Sequence, residues 1–340
     1  MAESFNTAGD IGYRSTGLVK KRLLKRGNYQ LVAGKFGQPF TQPKHTTLTA
    51  RWRRYTNFPT ADAPLQEGIT PPGRKLASTE VTSTLQQFGD WAELTDVVFD
   101  AHEDDVPKET VNLCGDQMGE TVEVVTIATL KAGSNVFYAN NAGSRTAVNS
   151  PCLAGDFKRI ERSLAKDKAT MVTSMIGATQ KVSTEPIDPA YIVMGHTDLK
   201  ADVETLEGFV PCKNYGEVRK AHPSEVGSLG VFRFCLTPLF EPWLAAATST
   251  STTTYLSNGD IPSANSNPDV YPMIIIAKSS YGVVRLQGLD AVQPAVHYPK
   301  PQVGDELGQR GFVSWKIYYT SVILNGSWLA RYEVAATAVP

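Results

Sequence analysis

Apolar residues recur along the chain with the periods of both helices and strands. The clearest helix signal covers residues 107–132, where apolar residues repeat at steps of three and four along one face. Pro107 suits the first turn and Gly133 the end. Such a helix, about 39 Å long, would be the backbone of one lobe. Two internal glycines, Gly115 and Gly119, predict a bend or a close packing partner. The predicted apolar face comprises Val111, Cys114, Met118, Val122, Val125 and Thr129.

Alternation with a period of two predicts a long β-hairpin in residues 46–95. A return strand rich in Thr and Val begins at Leu76. The tip, residues 57–74, is too rich in Pro and Gly to hold a regular ladder. A hairpin with polar faces is marginally stable alone and its open edges invite pairing, so we expect a neighbouring chain to cover it. In its first strand, Leu48, Ala50 and Trp52 are predicted to share one face, and Thr49, Arg51, Arg53 and Tyr55 the other.

The remaining pattern mixes both kinds of element. A second helix is predicted in residues 155–169, with Phe157, Ile160 and Leu164 on one face. A short helix is predicted in residues 197–208, with Asp198 near its start. Strands are predicted in residues 189–196 and 231–238, and two buried strands around a turn in residues 271–288.

The C-terminal part of the chain predicts a second hairpin. Two strands within residues 312–338 flank the dipeptide Asn325-Gly326, which is a strong signal for a two-residue turn with positive φ. Residues 249–269 are mostly Ser, Thr and Asn with almost nothing to bury, so we expect a mobile surface loop there. The order of elements predicts an α+β fold rather than a doubly wound sheet.

Length and composition indicate a globular protein without a dominant charge. With 340 residues the chain favours two lobes over one, and 41% hydrophobic residues are enough for a large core. The net charge of -1 lacks the basic excess of a dedicated DNA-binding protein. The first residues do not resemble a secretory signal, and no apolar run reaches the roughly 18 residues of a membrane span.

Two basic segments raise the question of nucleic-acid contact. Residues 51–60, RWRRYTNFPT, interleave arginines with aromatic rings as a nucleic-acid groove does. On an exposed hairpin, however, carboxylates of an adjacent subunit are the favoured partners of these arginines. Residues 1–45 have too few apolar groups for a core of their own and are predicted to form an arm that lies on something else. Its basic residues, which either pair with acids of a neighbour or touch nucleic acid, are Lys20, Lys21, Arg22, Lys25 and Arg26.

The sequence contains only weak candidates for catalytic or metal chemistry. No nucleophile elbow, phosphate-binding loop, dinucleotide fingerprint or zinc-protease motif is present in the sequence. Cys212 and His196 could form a nucleophile and base, although nothing in their spacing selects them. The acidic stretch before the long helix either caps that helix or holds a hard cation; it comprises Asp100, His102, Glu103, Asp104 and Asp105. We predict no enzyme, no metal and no cofactor.

The cysteines are too far apart in sequence for zinc ribbons or redox pairs. They are Cys114, Cys152, Cys212 and Cys235. We therefore expect free thiols, mostly buried, made in a reducing cytoplasm.

Several long phrases carry a resemblance to a known family. Residues 55–76 (YTNFPTADAPLQEGITPPGRKL), 86–104 (QQFGDWAELTDVVFDAHED) and 305–337 (DELGQRGFVSWKIYYTSVILNGSWLARYEVAAT) are similar to major capsid proteins of the coliphage N-four type. The order of arm, hairpin, long helix and returning strands resembles the Hong Kong 97 fold of tailed-phage capsids. The resemblance covers the chain from about residue 30 to its C-terminus.

The resemblance implies a division of the chain and a function. Residues 46–95 would be the extended loop that lies over a neighbouring subunit, through Arg51, Trp52, Arg53, Tyr55 and Lys75. The chain would assemble through pentamers and hexamers into an icosahedral shell around double-stranded DNA in the bacterial host cytoplasm. The other implied parts are an N-terminal arm (1–45), a peripheral domain (96–185) with the spine helix, an axial domain (186–295) and a return to the peripheral domain (296–340).

The resemblance also limits the partners. The short arm implies a separate scaffold protein, alongside a portal protein and non-specific contact with packaged DNA, and it leaves room for a decoration protein outside the shell. No membrane contact is expected. Some relatives join a loop lysine covalently to a neighbour's asparagine; no partner for Lys75 is identifiable, so we predict no cross-link. The alternatives are an encapsulin-like nanocompartment and a hydrolase that uses Cys212 and His196.

Overall fold

The structure of the protein is a computed structural model. It describes residues 31–64, 67–68, 70, 73–102, 105–176, 184–215, 220–248, 255–259, 266–287, 295–301 and 304–338.

The long helix begins and ends within one residue of the prediction. It covers Val106–Lys131, and Pro107 lies in its first turn. The Asp105 side chain caps it by accepting a hydrogen bond from the Lys108 N–H at 3.2 Å. The helices among the described residues are α1 (Ala33–Phe36), α2 (Asp96–Ala101), α3 (Val106–Lys131), α4 (Ala154–Lys166) and α5 (Lys200–Glu204).

The strands fall into three sheets in the described part of the chain. One has five strands, one has eight, and one is a two-stranded hairpin. Their bounds are β1 (Gln38–Gln42), β2 (Thr49–Tyr55), β3 (Ser78–Thr84), β4 (Gln86–Thr95), β5 (Val136–Tyr138), β6 (Val172–Ile176), β7 (Thr184–Gly195), β8 (Phe209–Pro211), β9 (Glu225–Leu229), β10 (Phe232–Leu236), β11 (Val270–Ile276), β12 (Tyr281–Leu286), β13 (Ala295–His297), β14 (Arg310–Ile323) and β15 (Leu329–Ala335).

The eight-stranded sheet is covered by helices on both of its faces. Its order is β5-β15-β11-β7-β10-β9-β8, with β6 paired to β7. Along β7, Tyr191 and Val193 join the apolar cluster that includes α4, whereas Ile192 and Met194 join the cluster that includes α3. Successive strand residues point to opposite faces, so both faces are buried, and this explains the continuous apolar runs in the sequence.

The five-stranded sheet packs on the other side of α3. Strand β14 is its centre and pairs with β4, β12 and β13, while β1 adds to β12 in parallel. Alternate β14 residues, such as Val313 and Trp315, are buried against α3. The Tyr319 hydroxyl and the Thr126 hydroxyl of α3 form a buried hydrogen bond at 2.6 Å. The long helix therefore lies between two sheets.

The predicted hairpin at Asn325-Gly326 is wrong. Asn325 is extended (φ -140, ψ 103), and the chain continues into a 3-10 turn at Gly326–Trp328. Strand β14 belongs to the five-stranded sheet and β15 to the eight-stranded sheet, so the two do not pair. The strands β11 and β12 are likewise divided between the two sheets. The local turn signal is overruled because each strand has a partner far away in sequence.

The two places where the chain passes between the sheets are bonded to each other. The N–H groups of Leu324 and Asn325 donate to the Ser280 carbonyl at 2.9 and 3.1 Å. The Ala277 N–H donates to the Trp328 carbonyl at 3.1 Å. We call this pair of segments, 277–280 and 324–328, the sheet crossing.

The segment predicted as a surface loop includes a buried anchor. Residues 249–254 and 260–265 lie outside the described residues, but Asp269 is completely buried. Its carboxylate accepts hydrogen bonds from the N–H groups of Ala245, Asn258 and Gly259, at 2.6, 2.9 and 2.6 Å. The expectation that this segment has almost nothing to bury is therefore wrong at its C-terminal end.

Candidate intersubunit surfaces

Strands β2 and β3 form an antiparallel hairpin whose root is packed on the body. Ala50 and Leu85 are buried together with Val284 of β12. The Trp52 ring lies against Phe40 of β1, with ring centroids 5.4 Å apart. The hairpin is shorter than the stretch assigned to the extended loop, because residues 86–95 turn away after Leu85 and pair with β14 instead.

Beyond this root the hairpin has no burial of its own. Every described residue from Arg53 to Glu80 is exposed. Three of them are large apolar or aromatic residues: Tyr55, Phe58 and Leu76 are 54%, 53% and 63% exposed. Exposed apolar groups gathered on one extended segment are typical of a surface that another molecule covers.

The hairpin residues predicted from sequence lie on two different faces. Arg53 and Glu80 sit opposite each other, and the Arg53 Nε donates to the Glu80 carboxylate at 2.8 Å. Arg53 therefore already has a partner within its own chain. Arg51, on the same face, has no ion-pair partner among the described residues, and Lys75 is exposed near the tip. Trp52 faces the body. The basic residues predicted in the arm, Lys20 to Arg26, lie outside the described residues.

A second apolar surface lies on the outer side of the five-stranded sheet. Trp91 of β4 is 59% exposed and meets Phe312 of β14 edge-on, with ring centroids 6.2 Å apart. His297 stacks on Phe312 at 4.4 Å, and Tyr298 is 64% exposed beside it in sequence. Sequence reasoning missed this aromatic patch. The available signal was the alternation along β14, which places Phe312 on the face opposite the buried Val313 and Trp315.

The root of the N-terminal segment is held by a buried carboxylate that the sequence reasoning also missed. Residues 31–36, here called the arm root, lie against α3, with Val32 and Ala33 fully buried. The Glu123 carboxylate accepts hydrogen bonds from the N–H groups of Val32 and Ala33 at 2.6 Å, and from Gly34 at 3.0 Å. Burial raises the pKa of Glu123, while the three N–H groups act in the opposite direction.

His222 approaches the arm root from another loop. Its ring meets Phe36 edge-on at 6.3 Å, and its Nδ1 accepts a hydrogen bond from the Ser224 N–H at 3.1 Å. Burial, with a smaller effect of the nearby Lys35 charge, lowers the pKa of His222 to about 4. A neutral imidazole therefore packs here at neutral pH.

The candidate catalytic pair has the character of ordinary structural residues. The Cys212 thiol donates to the Glu225 carbonyl at 3.1 Å, and burial raises its pKa, the opposite of an activated nucleophile. The Nδ1 of His196 accepts from the Asp198 N–H at 3.2 Å, as expected of a residue that bonds locally at a helix start. All four cysteines are free thiols, and Cys114, Cys152 and Cys235 are buried.

The acidic stretch before α3 supplies the cap of that helix through Asp105. Glu103 and Asp104 lie outside the described residues. No group of three or more potential metal ligands occurs in the part of the chain that the structure describes. Within the same residues, no helix has the length and apolar character needed to cross a membrane.

Comparison with solved structures identifies the fold. The capsid of Ralstonia phage GP4 aligns with a TM-score of 0.65 at 10% identity, over 100% of both chains. The capsid of Cyanophage Pam1 aligns with a TM-score of 0.63 at 13% identity, again over 100% of both chains. The head of Helicobacter pylori bacteriophage KHP40 gives 0.60 at 10% identity, over 98% of each. The mixed α+β fold is thus that of phage capsids, consistent with the Hong Kong 97-like class predicted from sequence.

Sequence comparison supplies the family. No protein of curated function matches the chain in sequence. A profile of the family described as phage capsid protein matches residues 78–334, about three quarters of the chain. Neither result favours the nanocompartment alternative. The chain therefore belongs to the phage capsid protein family, whose members are structural components of the virion and not enzymes.

Proposed function

We propose that the chain is the major capsid protein of a tailed phage, of the coliphage N-four type with a Hong Kong 97-like fold. It assembles through pentamers and hexamers into an icosahedral shell that encloses double-stranded DNA. Support comes from family membership and from the long phrases quoted above. Assembly takes place in the host cytoplasm, in agreement with the free cysteines.

The observation that carries this proposal is the exposure of the hairpin. The described residues from Arg53 to Glu80 are all exposed, so this stretch contributes little to the stability of a single subunit. Such a segment gains stability only when another molecule covers its apolar side chains and strand edges. In a homo-oligomer the cover is a second copy of the same chain.

The proposed contacts follow from the placement of the hairpin residues. Arg51 and Tyr55 face outward with the Arg53–Glu80 pair and meet the neighbouring subunit, as does Lys75 near the tip. Trp52 contributes from the root by holding the hairpin against β1. The arm, residues 1–45, and the division into peripheral and axial domains remain part of the proposal, although the arm root and β1 lie within the body.

Contact with the genome is proposed to be weak and non-specific. A net charge of -1 gives little overall attraction to phosphate, which allows packaged DNA to move in and out. The basic residues between Lys20 and Arg26 are the proposed place for contact with DNA or a neighbour. Scaffold and portal proteins are separate partners, and a decoration protein is compatible with the exposed outer surfaces.

Negative-stain electron microscopy and analytical ultracentrifugation of the purified chain test the proposal. Discrete hollow particles of uniform size, or capsomer rings that close when scaffold is added, are the expected result. A compact monomer at every concentration, with or without scaffold, would overturn the proposal. Particles that retain a host enzyme as cargo and cannot take up DNA would favour a nanocompartment instead.

A further inference from the structure

One stripe of the long helix α3, beside the arm root, is only partly covered by the described part of the chain. Residues spaced at steps of three and four share a face of a helix, and five such residues form what we call the α3 stripe. Its two apolar members are each 50% exposed, and its three acids are half-buried. The members of the α3 stripe are Glu109, Leu113, Asp116, Glu120 and Val124.

The described chain begins next to this stripe and runs along it. The Glu123 carboxylate binds the N–H groups of residues 32–34, and Leu31 lies over Gly119, one turn earlier in α3. Followed backwards, the arm root therefore moves by about one turn toward the N-terminal end of α3. The next turn in that direction carries Asp116.

The preceding segment of the chain has the opposite charge to the helix. Residues 18–26, LVKKRLLKR, lie outside the described residues and contain five basic, four apolar and no acidic residues. Residues 109–124 of α3 contain four acidic and no basic residues. The segment and the α3 stripe are thus complementary in charge, and both offer apolar side chains.

The chain between them is long enough to bring them together. Leu24 precedes Leu31 by seven residues, which span up to about 25 Å when extended. Glu109, at the far end of the α3 stripe, is ten helical residues from Gly119, or about 15 Å. A short tether of this kind gives a local concentration in the mM range, so the helix of the same copy is favoured over that of another copy.

We propose that residues 18–26 dock on the α3 stripe of their own subunit. The basic side chains pair with Asp116 and Glu120, and the leucines cover Leu113. The acids of this face repel phosphate, so DNA is not its ligand. The inference goes beyond the proposed function, because it concerns the subunit before assembly. Any contact of the same basic residues with DNA or a neighbour then requires the segment to leave α3.

A zero-length cross-link tests the docking on the full-length, unassembled chain. A carbodiimide joins the amines of Lys20, Lys21 and Lys25 to carboxylates in contact with them. Mixing ¹⁵N-labelled and unlabelled copies lets mass spectrometry separate links within one copy from links between copies. We expect links within one copy to Asp116 and Glu120, several-fold more abundant than links from the same lysines to any acid outside α3.

Trypsin provides a second readout, because a docked segment is protected from cleavage after Arg22 and Arg26. The double variant Asp116→Asn/Glu120→Gln should be cleaved there several-fold faster than wild type, and high salt should speed cleavage of wild type. The matched control, Glu204→Gln/Glu207→Gln, changes the net charge equally. Both of its sites are exposed and adjoin α5, which packs in the other apolar cluster, and its cleavage should equal that of wild type.

An exchange of charges separates docking from a merely structural effect of the acids. Asp116→Lys/Glu120→Lys should expose the segment to trypsin, and changing Lys20, Lys21 and Lys25 to Glu in the same chain should restore protection. The three lysine changes on an unaltered α3 are the reference, and they should leave the segment exposed.

Three results would overturn the inference. The first is cross-links from these lysines to α3 only between copies, which would assign the segment to a neighbour. The second is trypsin cleavage that none of the α3 changes alters. The third is protection seen only in DNA-filled particles and lost after nuclease treatment, which would assign the segment to DNA. Since the first two tests use the unassembled chain, a failure to form shells would overturn the proposed function alone.

Discussion

At the scale of single residues, Glu123 connects the start of the described chain to the long helix. Its carboxylate satisfies three consecutive backbone N–H groups of the arm root, which lie at the start of α1, where N–H groups have no acceptor within the helix. A carboxylate that is almost completely buried is costly, and the raised pKa of Glu123 records that cost. The three hydrogen bonds explain why the carboxylate is nevertheless found there.

Removing these acceptors should destabilise the subunit. Glu123→Met keeps the length of the side chain but leaves two buried N–H groups and one partly buried N–H group without partners, which costs about 3 kcal/mol. The control is Glu120→Met on the same helix, where the side chain is half-buried and the expected loss is under about 1 kcal/mol. Urea unfolding of the isolated subunit measures both, and equal losses would contradict the role given to Glu123.

His222 predicts how stability depends on pH. Its pKa is lowered to about 4 in the folded chain, so between pH 6.5 and 4 the unfolded chain binds more protons than the folded chain. The contribution of His222 to stability is therefore complete above pH 6.5 and is lost as the pH falls through that window, by up to about 3 kcal/mol.

His222→Gln removes the titrating group and should flatten this part of the curve. The free energy of unfolding of wild type and variant is compared at several pH values, so that other groups, including Glu123 with its raised pKa and opposite slope, cancel in the difference. A difference that does not change between pH 6.5 and 4 would show that His222 is not buried in its neutral form.

At the scale of elements, the two glycines of α3 have different surroundings. A Cβ added to Gly115 would meet nothing within 4 Å, whereas one added to Gly119 would lie 2.9 Å from Leu31 Cδ1. The sequence predicted a bend or a close partner at both positions. Only Gly119 has the close partner, and it is the arm root that supplies it.

These surroundings predict opposite outcomes for one type of substitution. Gly115→Ala should stabilise the subunit by about 0.5–1 kcal/mol, because Ala loses less backbone freedom than Gly in a helix. Gly119→Ala should gain less or lose stability, because Leu31 has to shift. Thermal unfolding of the two variants is the measurement; a larger gain at Gly119 would contradict this packing.

Helices and strands could be predicted where the signal lies in neighbouring residues of the sequence. The bounds of α3 and the Phe157 face of α4 follow from periodicity and capping, and both are observed. Pairing was not predictable, since the partner of β4 lies more than 200 residues away in β14. For the same reason Asn325 indicated a turn but could not reveal that the strands around it join different sheets.

The candidate surfaces show the same limit. The alternation in β2 correctly separated Trp52 from Arg51 and Arg53. Alternation does not say what opposes an exposed face, so Glu80 was missed as the partner of Arg53. The aromatic patch at Trp91 was missed because Phe312 is as apolar as Val313 and Trp315, so the alternation in β14 separates two faces without showing which of them meets the solvent.

At the scale of the whole molecule, the hairpin tip should be dispensable for folding and necessary for assembly. Replacing residues 57–74 by a short turn removes only residues that are exposed where they are described. We expect the unfolding free energy of the subunit to change by less than about 1 kcal/mol, while closed shells disappear from electron micrographs.

A matched control keeps this experiment specific. Replacing the same residues by a Gly/Ser segment of equal length retains the reach of the hairpin but removes Phe58 and the prolines. Partial assembly of this variant and none of the truncated one would assign separate roles to length and to side chains. Intact shells from the truncated chain would contradict the proposed role of the tip.

The sheet crossing has a mechanical consequence for any assembly of this chain. At the sheet crossing, two segments of the chain pass from one sheet to the other side by side. Backbone hydrogen bonds to the carbonyl groups of Ser280 and Trp328 join these two segments. A force that pulls the two sheets apart therefore acts on both segments at once, and neither segment can give way before the other. When pressure acts outward on a shell of such copies, we expect the interfaces between copies to yield first. The body of each copy would then move as a rigid unit.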